Sequence, residues 1–290
     1  MYLVTGATGN VGREVVRRLL DAGVPVRATS RNPATSGLPC EVDVLAPQPD
    51  SFPVAGVVAM FLNPGAVHDT ADALLEQAVS AGVRRIVLLS SSSVLDDHPA
   101  NVTGMIHRDL EQRVKRTELE WTFLRAGMFA SNTRLWADSI RPGAPVRAAY
   151  GDVRFAPIHE QDLAAAAARA LLSDGLIAAA PVLTGPELTS QAEQVKLIGD
   201  AIGLALRFEE VSPRTARESM VAHQIPPAIA GSLLRYYETA LSHPIEPTPI
   251  SWELEGESPR DYRQWVSDHI ADFRHPRPGR GRAAGQLPLP

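Results

Sequence analysis

Short apolar runs alternate with helical patterns through the first half of the chain. Each run ends at Gly, Pro, Asn or Ser, which is typical of a buried strand followed by a turn. Apolar residues at helical spacing separate the runs. The predicted strands lie at 2–4, 25–29, 40–44, within 54–62, at 85–89 and at 121–125, and the predicted helices at 13–22, 67–81 and 105–116. This alternation predicts an α/β protein with a doubly wound parallel sheet covered on both faces.

The second half of the chain follows a different pattern. Helical segments joined by Pro-rich stretches predict a smaller, mostly helical cap over the sheet. The predicted helices cover 161–172, 190–202, 215–223, 228–241 and 259–273, with short strands at 181–183 and 206–211. We expect a single unit over 1–273, with its core at about 1–150 and its cap mainly at 185–273. The tail, 274–290, is rich in Pro, Gly and Arg, and is predicted to be flexible.

The first strand leads directly into a glycine-rich loop, Thr5-Gly6-Ala7-Thr8-Gly9-Asn10-Val11-Gly12. Gly6 suits a tight turn, Gly9 lets backbone amides approach a phosphate, and Gly12 allows the helix to pack closely on the strand. The helix that follows offers unpaired N–H groups to a pyrophosphate. The loop therefore predicts a dinucleotide site on a Rossmann-type sheet. A glycine-rich turn that binds nothing is the alternative.

Bulk composition excludes several functions. The net charge of -5 argues against nucleic acid as the main partner. No apolar stretch approaches the roughly 20 residues that span a bilayer, so we expect no membrane insertion and a cytoplasmic protein. The single cysteine, Cys40, excludes an intramolecular disulfide and lies in a predicted strand, where an inert buried thiol is expected. The scattered histidines show no metal-ligand spacing, so we predict no metal site.

Five further segments, taken in order, resemble one family. They are Ser30-Arg31-Asn32-Pro33, Ser90-Ser91, Leu124-Arg125-Ala126-Gly127-Met128-Phe129, the segment from Ile158 to Ala164, and Leu183-Thr184-Gly185-Pro186-Glu187. Together with the glycine-rich loop, they are similar to the NmrA-like group of atypical short-chain dehydrogenase/reductases. The resemblance covers almost all of 1–273. It implies a bound nicotinamide dinucleotide and a reductase-type site.

The end of the second strand bears on the choice of cofactor. NAD sites usually place an acidic residue here to bind the ribose 2′-hydroxyl, whereas this chain has Ser30 and Arg31. A guanidinium suits a 2′-phosphate, so NADP(H) is predicted over NAD(H), although Arg31 could also be a solvated loop residue. Asp43, at the third strand, resembles the family residue that faces the adenine, and a turn role is the alternative. Leu62, Asn63 and Ser90 would follow the ribose and nicotinamide.

The usual catalytic Tyr-x-x-x-Lys pair is missing. His107 and Glu111 stand where it is expected, four residues apart and so on one helix face. We hypothesise that His107 donates a proton while Glu111 orients it, raises its pKa and contacts the ribose. An ordinary helix-surface pair is the alternative. Ser91 and Ser92 are candidates to polarise a substrate oxygen, or simply to cap their loop.

Asp162 is expected to cap or orient its helix. The predicted cap contains several aromatic residues and a methionine that could line a pocket for an apolar ring or pack in the core. They are Trp136, Met220, Tyr236, Tyr237 and Trp252.

These observations predict an NADPH-dependent oxidoreductase that reduces a small apolar carbonyl, enone or quinone compound. A redox-sensing regulator that binds NADP(H), and a non-redox catalyst on the same fold, are the alternatives. The expected partner is a small molecule, with the protein as a monomer or homodimer.

Overall fold

The computed structural model describes residues 1–48, 51–243, 246–248 and 258–274. Trp252 and all but the first residue of the predicted flexible tail lie outside these ranges. The strands are β1 Tyr2–Val4, β2 Val26–Thr29, β3 Asp43–Leu45, β4 Ala59–Leu62, β5 Arg85–Ser91, β6 Glu120–Ala126, β7 Val146–Ala148, β8 Arg154–Phe155, β9 Val182–Leu183, β10 Thr189–Ser190 and β11 Phe208–Glu210. The helices are α1 Asn10–Asp21, α2 Pro64–Val67, α3 Ala71–Ser80, α4 Val102–Arg116, α5 Ala137–Ile140, α6 Glu160–Leu172, α7 Gln191–Ile202, α8 Pro213–Ala222, α9 Pro227–Ser242, α10 Tyr262–Asp268 and α11 Ile270–Phe273.

Seven parallel strands form the central sheet, in the order β3-β2-β1-β4-β5-β6-β9. The strand order reverses between β1 and β4, which pair from Tyr2 opposite Ala59 to Val4 opposite Phe61. In such sheets ligands bind at the carboxyl ends of the strands, beside this reversal. The predicted doubly wound Rossmann-type architecture is confirmed.

Each face of the sheet has its own apolar core. Helices α1 and α6 cover one face, where the buried alanines of α6 let the two helices approach closely. Helices α3 and α4 cover the other face, with Leu74, Leu110 and Phe123 fully or nearly fully buried. Because α6 and β9 belong to these layers, the sheet region extends beyond the predicted boundary near residue 150.

The cap packs around rings from the C-terminal helices. Trp265, Tyr262 and Phe273 are almost completely buried against α7 and α5. Trp136 packs at the edge of this cluster, and Met220 and Tyr237 pack in a separate one beside α8 and α9. The aromatic residues of the cap thus mainly form its core.

Two predicted features are wrong in detail. The third strand begins at Asp43 and not at Cys40, which lies in an exposed turn because the chain reaches the sheet only after Val42. Cys40 is therefore an exposed thiol. The predicted helix at 259–273 is interrupted, because α10 ends before His269 and α11 begins after it.

Candidate active site

The glycine-rich loop joins β1 to α1 in the expected geometry. Gly6 has φ +61°, a conformation that strongly favours glycine. A Cβ on Gly12 would lie 2.2 Å from the Gly6 carbonyl oxygen, so only glycine fits where α1 crosses the strand end. Gly9 precedes α1, and no side chain caps the first N–H groups of the helix. These uncapped amides at a positive helix end fit a dinucleotide pyrophosphate.

Two residues join the glycine-rich loop to the neighbouring strand end. The buried Thr5 hydroxyl donates to the Phe61 carbonyl at 3.1 Å and accepts the Asn63 N–H at 2.8 Å. The Asn63 side chain lies so close to Gly6 that a Cβ there would be 2.9 Å from its Nδ2 atom. Thr5 therefore fixes Asn63 at the point where the strand order reverses. Sequence reasoning missed the role of Thr5.

Asn10 is held by a residue from the far end of the chain. Arg134 donates to the Asn10 side-chain oxygen at 2.8 Å and forms an ion pair with Asp272 at 2.8 Å. Arg134 also donates to His269 Nδ1 at 2.9 Å. The C-terminal helix α11 thus supports the first residue of α1. Nothing in the sequence spacing indicates this link.

The loop after β2 presents the candidate 2′-phosphate residues. Arg31 is exposed, whereas Ser30 is buried and accepts the Asn32 N–H at 3.2 Å. Arg13, which sequence reasoning did not select, donates to the Gly37 carbonyl at 2.9 Å and the Ser36 carbonyl at 3.1 Å. It thereby holds the loop after β2 beside the glycine-rich loop.

Three predicted cofactor residues have other environments. Asp43 opens β3 instead of ending it, and its carboxylate pairs with Arg27 at 2.7 Å. Because Arg27 lies near the start of β2, Asp43 belongs to the amino half of the strands and the adenine role is not supported. The side chains of Val11 and Leu62 are buried in the two sheet cores, so only their backbone can face a ligand. Thr8 is exposed on the loop.

Glu111 does not have its predicted partners. It is buried, and its carboxylate accepts two hydrogen bonds from Arg125, at 3.0 and 2.7 Å, and one from the Ser90 hydroxyl at 2.7 Å. The hydrogen bonds to Glu111 raise the pKa of Arg125 further, so the guanidinium stays charged. Glu111 therefore joins α4 to β6 and orients Ser90, and the expected ribose contact is replaced by this buried ion pair. The sequence signal was Arg125 within the Leu124–Phe129 motif.

The His107 side chain is also buried, and it forms a hydrogen bond within α4. Its Nδ1 atom lies 2.9 Å from the Thr103 carbonyl oxygen, four residues earlier on α4. A carbonyl only accepts hydrogen bonds, so Nδ1 carries the proton in the neutral ring. The side chain is not among the described residues that line the pocket beside Ser90 to Ser93, which we call the serine-rich loop. This geometry does not favour His107 as a proton donor to substrate.

An open pocket lies beyond the carboxyl ends of β5 and β6. Its walls come from the loop after β5, the start of α4, the segment after β6 and the cap helix α9. The described residues that line it are Ser91, Ser92, Ser93, Asn101, Thr103, Gly127, Met128, Phe129, Asn132, Ser232, Leu233 and Tyr236. All of them are uncharged, and the surface that they present to the pocket is mainly apolar, with a few hydroxyl and amide groups. The pocket suits a small, neutral and largely apolar molecule.

The two candidate serines have different environments in this pocket. The Ser91 oxygen accepts from the Ser93 N–H at 3.2 Å and from the Ser93 hydroxyl at 2.8 Å, so it caps the turn that follows β5. Ser92 is buried and lines the pocket together with Tyr236 of α9. Because the Ser91 oxygen already caps its turn, Ser92 is the better placed of the two to meet a substrate oxygen.

Outside the pocket, the fold assembles a cluster that sequence spacing did not reveal. His159, Glu160 and His269 have ligand-type atoms within 4.8 Å of one another. Protein donors already face several of these atoms, since Trp265 donates to Glu160 at 2.8 Å and the Gln161 N–H donates to His159 at 3.1 Å. The arrangement is therefore better explained as a hydrogen-bond network that docks α10 and α11 than as a metal centre.

Charge within this cluster is stabilised despite burial. Burial opposes ionisation of Glu160, but the contact with His269 at 2.7 Å outweighs it and lowers the pKa of Glu160 to about 2. Burial lowers the pKa of His159, although the neighbouring Glu160 and Asp162 oppose the shift. Beside the cluster, Asp162 pairs with Arg260 at 2.5 Å and so ties the C-terminal segment to α6. The role of Asp162 is structural, but the side chain that caps α6 is that of His159.

Among the described helices, none combines the length and apolarity required to cross a bilayer.

Comparison with known proteins gives one consistent class. The profile of the NAD(P)H-binding family matches residues 6–174. A (4-alkanoyl-5-oxo-2,5-dihydrofuran-3-yl)methyl phosphate reductase from Streptomyces griseus is 37% identical over 94% of this chain and 99% of its own length. An NAD(P)H azoreductase from Xenophilus azovorans is 27% identical, over 94% of this chain and 99% of its own.

Among solved structures, an NADPH-dependent quinone oxidoreductase from Escherichia coli has the same fold, with a TM-score of 0.78 and 20% identity. It covers 93% of this chain and 100% of its own. The chain therefore belongs to the NAD(P)H-binding family, in agreement with the nicotinamide dinucleotide site that its motifs predicted. It is an NAD(P)H-dependent oxidoreductase.

Proposed function

We propose that this protein uses NADPH to reduce a small, uncharged compound in which a carbonyl group is conjugated to a double bond, such as an enone, an unsaturated lactone or a quinone. The observation that carries the proposal is the pocket beside β5 and β6, whose described lining is entirely uncharged and mainly apolar, with a few hydroxyl and amide groups. The Streptomyces relative is named for reduction of an oxo-dihydrofuran compound that also carries a methyl phosphate group, so it shares the ring carbonyl with the proposed substrates but differs from them in charge.

NADPH is preferred over NADH because of the segment that follows β2. It carries Ser30 and Arg31 and has no carboxylate from Thr29 to Asn32. The exposed guanidinium of Arg31 can pair with a 2′-phosphate, where an acidic residue would repel it. The proposal assigns the 2′-phosphate to Ser30 and Arg31.

The remaining cofactor assignments follow the carboxyl edge of the sheet. Backbone amides of 6–12 would hold the pyrophosphate, with the Thr8 and Asn10 side chains beside it. Asn63 and Ser90 would flank the ribose and the nicotinamide. The bound nicotinamide would supply the hydride, so this chain needs only to orient the substrate, exclude water and stabilise charge on its oxygen.

The proposed function is tested by NADPH oxidation at 340 nm with a neutral panel, 2-cyclohexen-1-one, a 2(5H)-furanone and a substituted 1,4-benzoquinone. We expect turnover with at least one of these, and slower turnover with NADH. A furanone with a methyl phosphate substituent should react more slowly than its alcohol, because the described pocket offers no cation. Tight NADPH binding without turnover of any carbonyl compound would instead favour the regulator. A monomer or homodimer remains the expected state, which light scattering measures.

A further inference from the structure

Tyr236 is the one described tyrosine that reaches the pocket, and it comes from the cap instead of the sheet. It lies on α9, and its ring stacks on Phe155 with centroids 5.2 Å apart and planes 9° apart. Ser92, which follows β5, lines the same pocket. One hydroxyl-bearing residue of the cap and one from the end of the sheet thus share the pocket wall.

Helix α9 is held in place on both sides of Tyr236. Ser232 donates to the Asn101 side-chain oxygen at 3.3 Å, and Asn101 in turn donates to the Ser93 carbonyl at 2.7 Å. One residue before the tyrosine, Arg235 pairs with Asp96 at 2.5 Å. These contacts connect α9 to the serine-rich loop itself, so the position of the tyrosine is fixed relative to Ser92.

We propose that the hydroxyl of Tyr236, supported by Ser92, donates a hydrogen bond to the carbonyl oxygen of the substrate. This inference rests on the proposed reductase function. In proteins that have the Tyr-x-x-x-Lys pair, its tyrosine contacts the substrate oxygen. The proposal assigns this task to a residue of the cap, because α4 of this chain has no such tyrosine.

The chemistry balances as follows for a conjugated enone. The β-carbon of the substrate gains a hydride from NADPH, the carbon–carbon π pair moves toward the carbonyl carbon, and the carbonyl π pair moves onto oxygen. The resulting oxyanion accepts the hydrogen bond from Tyr236, and water then supplies a proton to the α-carbon. The substrate gains two electrons in total and NADPH becomes NADP⁺.

A neutral hydroxyl suits this task. Burial raises the pKa of Tyr236 to about 12 although the interaction with Ser92 opposes the shift. The phenol therefore stays protonated across neutral pH and remains a donor. In the usual dyad a lysine lowers the tyrosine pKa. Here we expect stabilisation by a hydrogen bond to dominate over transfer of the phenol proton.

The test compares Tyr236→Phe with Tyr237→Phe, a matched control on the same helix. Tyr237 also contacts Phe155, with ring centroids 5.2 Å apart and planes tilted by 49°, but it is not among the described lining residues. The probe is 4-(dimethylamino)cinnamaldehyde, a coloured enal whose absorption moves to longer wavelength when its oxygen accepts a hydrogen bond. It is added to protein loaded with NADP⁺, so no reduction occurs. We expect the red shift in the parent and in Tyr237→Phe, and its loss in Tyr236→Phe.

Turnover provides the second measurement. Removing one such donor should lower kcat for 2-cyclohexen-1-one by roughly 100-fold with little change in NADPH affinity. Ser92→Ala, which leaves the ring stack intact, should lose part of both effects and replaces Tyr236→Phe if that variant does not fold. Equal shifts and equal kcat in the two tyrosine variants would overturn the inference and leave the reductase function standing. A parent that reduces no carbonyl compound would overturn the function, while the spectral shift would still test the hydrogen bond.

Discussion

The proposed dinucleotide site at the glycine-rich loop, here called the nucleotide edge, and the proposed substrate pocket lie at the same end of one sheet. The two sites are built in opposite ways. The nucleotide edge is mainly backbone, in a contiguous loop whose shape depends on Gly6 and Gly12. The pocket is mainly side chains, drawn from four separated segments of the sheet region and the cap. A backbone site tolerates few changes and retains one ligand. A side-chain site can change substrate through single substitutions, as fold alone does not determine function.

The first prediction tests the backbone character of the nucleotide edge and has the largest expected effect. Gly9→Val adds a side chain where the pyrophosphate would lie, while its Cβ meets only the Gly6 oxygen at 3.3 Å, so the fold needs only a small adjustment. NADPH affinity should fall by roughly 100-fold or more, about 3 kcal/mol, in calorimetric titration. Gly175→Val, whose Cβ would enter open space, is the matched control. Parent affinity in a folded Gly9→Val protein would place the pyrophosphate elsewhere.

The second prediction concerns Glu160, in the hydrogen-bond network that docks α10 and α11. The pKa of Glu160 is depressed to about 2 in the folded protein, so its ionisation stabilises the fold above its unfolded pKa, near 4.5, and this contribution is lost as the pH falls from there toward 2. The lost contribution is about 3 kcal/mol of unfolding free energy. Glu160→Gln should lack this pH-dependent part of the unfolding free energy. The measurement is denaturant unfolding of the parent and the variant at pH 6 and at pH 3, and we expect the difference between the two proteins to be smaller at pH 3.

The control for this pH effect is Glu209→Gln, which changes a carboxylate in a surface pair with Arg147. We expect it to leave the acid dependence nearly unchanged, because exposed pairs contribute little. Parallel pH curves for the parent and Glu160→Gln would show that the C-terminal docking network does not depend on this charge.

The third prediction asks whether one side chain adds specificity to the backbone site. Arg31→Ala should remove most of the preference for NADPH over NADH, about 1.5–3 kcal/mol for a charge-assisted contact. The expected loss is in NADPH affinity alone, with NADH affinity retained, and calorimetry with both dinucleotides measures it. Arg147→Ala, on β7 of the cap, is a control of equal charge change. Equal affinities of the parent for both dinucleotides would exclude the proposed role of Arg31.

The fourth prediction has the smallest expected effect and compares α4 with the cap. If His107 were the general acid, His107→Phe would lower turnover by roughly 10²–10⁴-fold. Because the His107 side chain is buried and is not among the described residues that line the pocket, we expect turnover within about threefold of the parent. Steady-state kinetics across pH 6–9 decide the matter. A loss in the general-acid range would restore the catalytic role of His107 and reduce that of Tyr236.

The sheet and the glycine-rich loop could be predicted because their determinants are local. Strand patterns, glycine positions and the helix start lie within a few residues of one another, and the structure confirms them. Asp43 shows the limit of local reasoning, since a shift of the strand start moved it beside Arg27. Glu111 shows another limit. Helical spacing placed it correctly on one face with His107, but its partners Arg125 and Ser90 come from adjacent strands.

The pocket could be predicted only in part, because its residues come from segments that are far apart in the sequence. The serine-rich loop and Met128 with Phe129 were evident as motifs. Tyr236 was one of several cap aromatics, and only the docking of α9 distinguishes it from Tyr237. The network of His159 and His269 joins residues over 100 positions apart, at a distance where sequence spacing carries no information.

The contact chain from Asp272 through Arg134 to Asn10 has a consequence for biosynthesis. The glycine-rich loop leaves the ribosome early, but its support from α11 is made about 260 residues later. At roughly 5–20 residues per second, the loop waits about 13–50 s for that contact. A nascent chain stalled before α11 should therefore hold a sheet whose nucleotide loop lacks the Asp272 contact to Arg134. Retention of nascent chains on an immobilised NADP analogue should rise once α11 emerges.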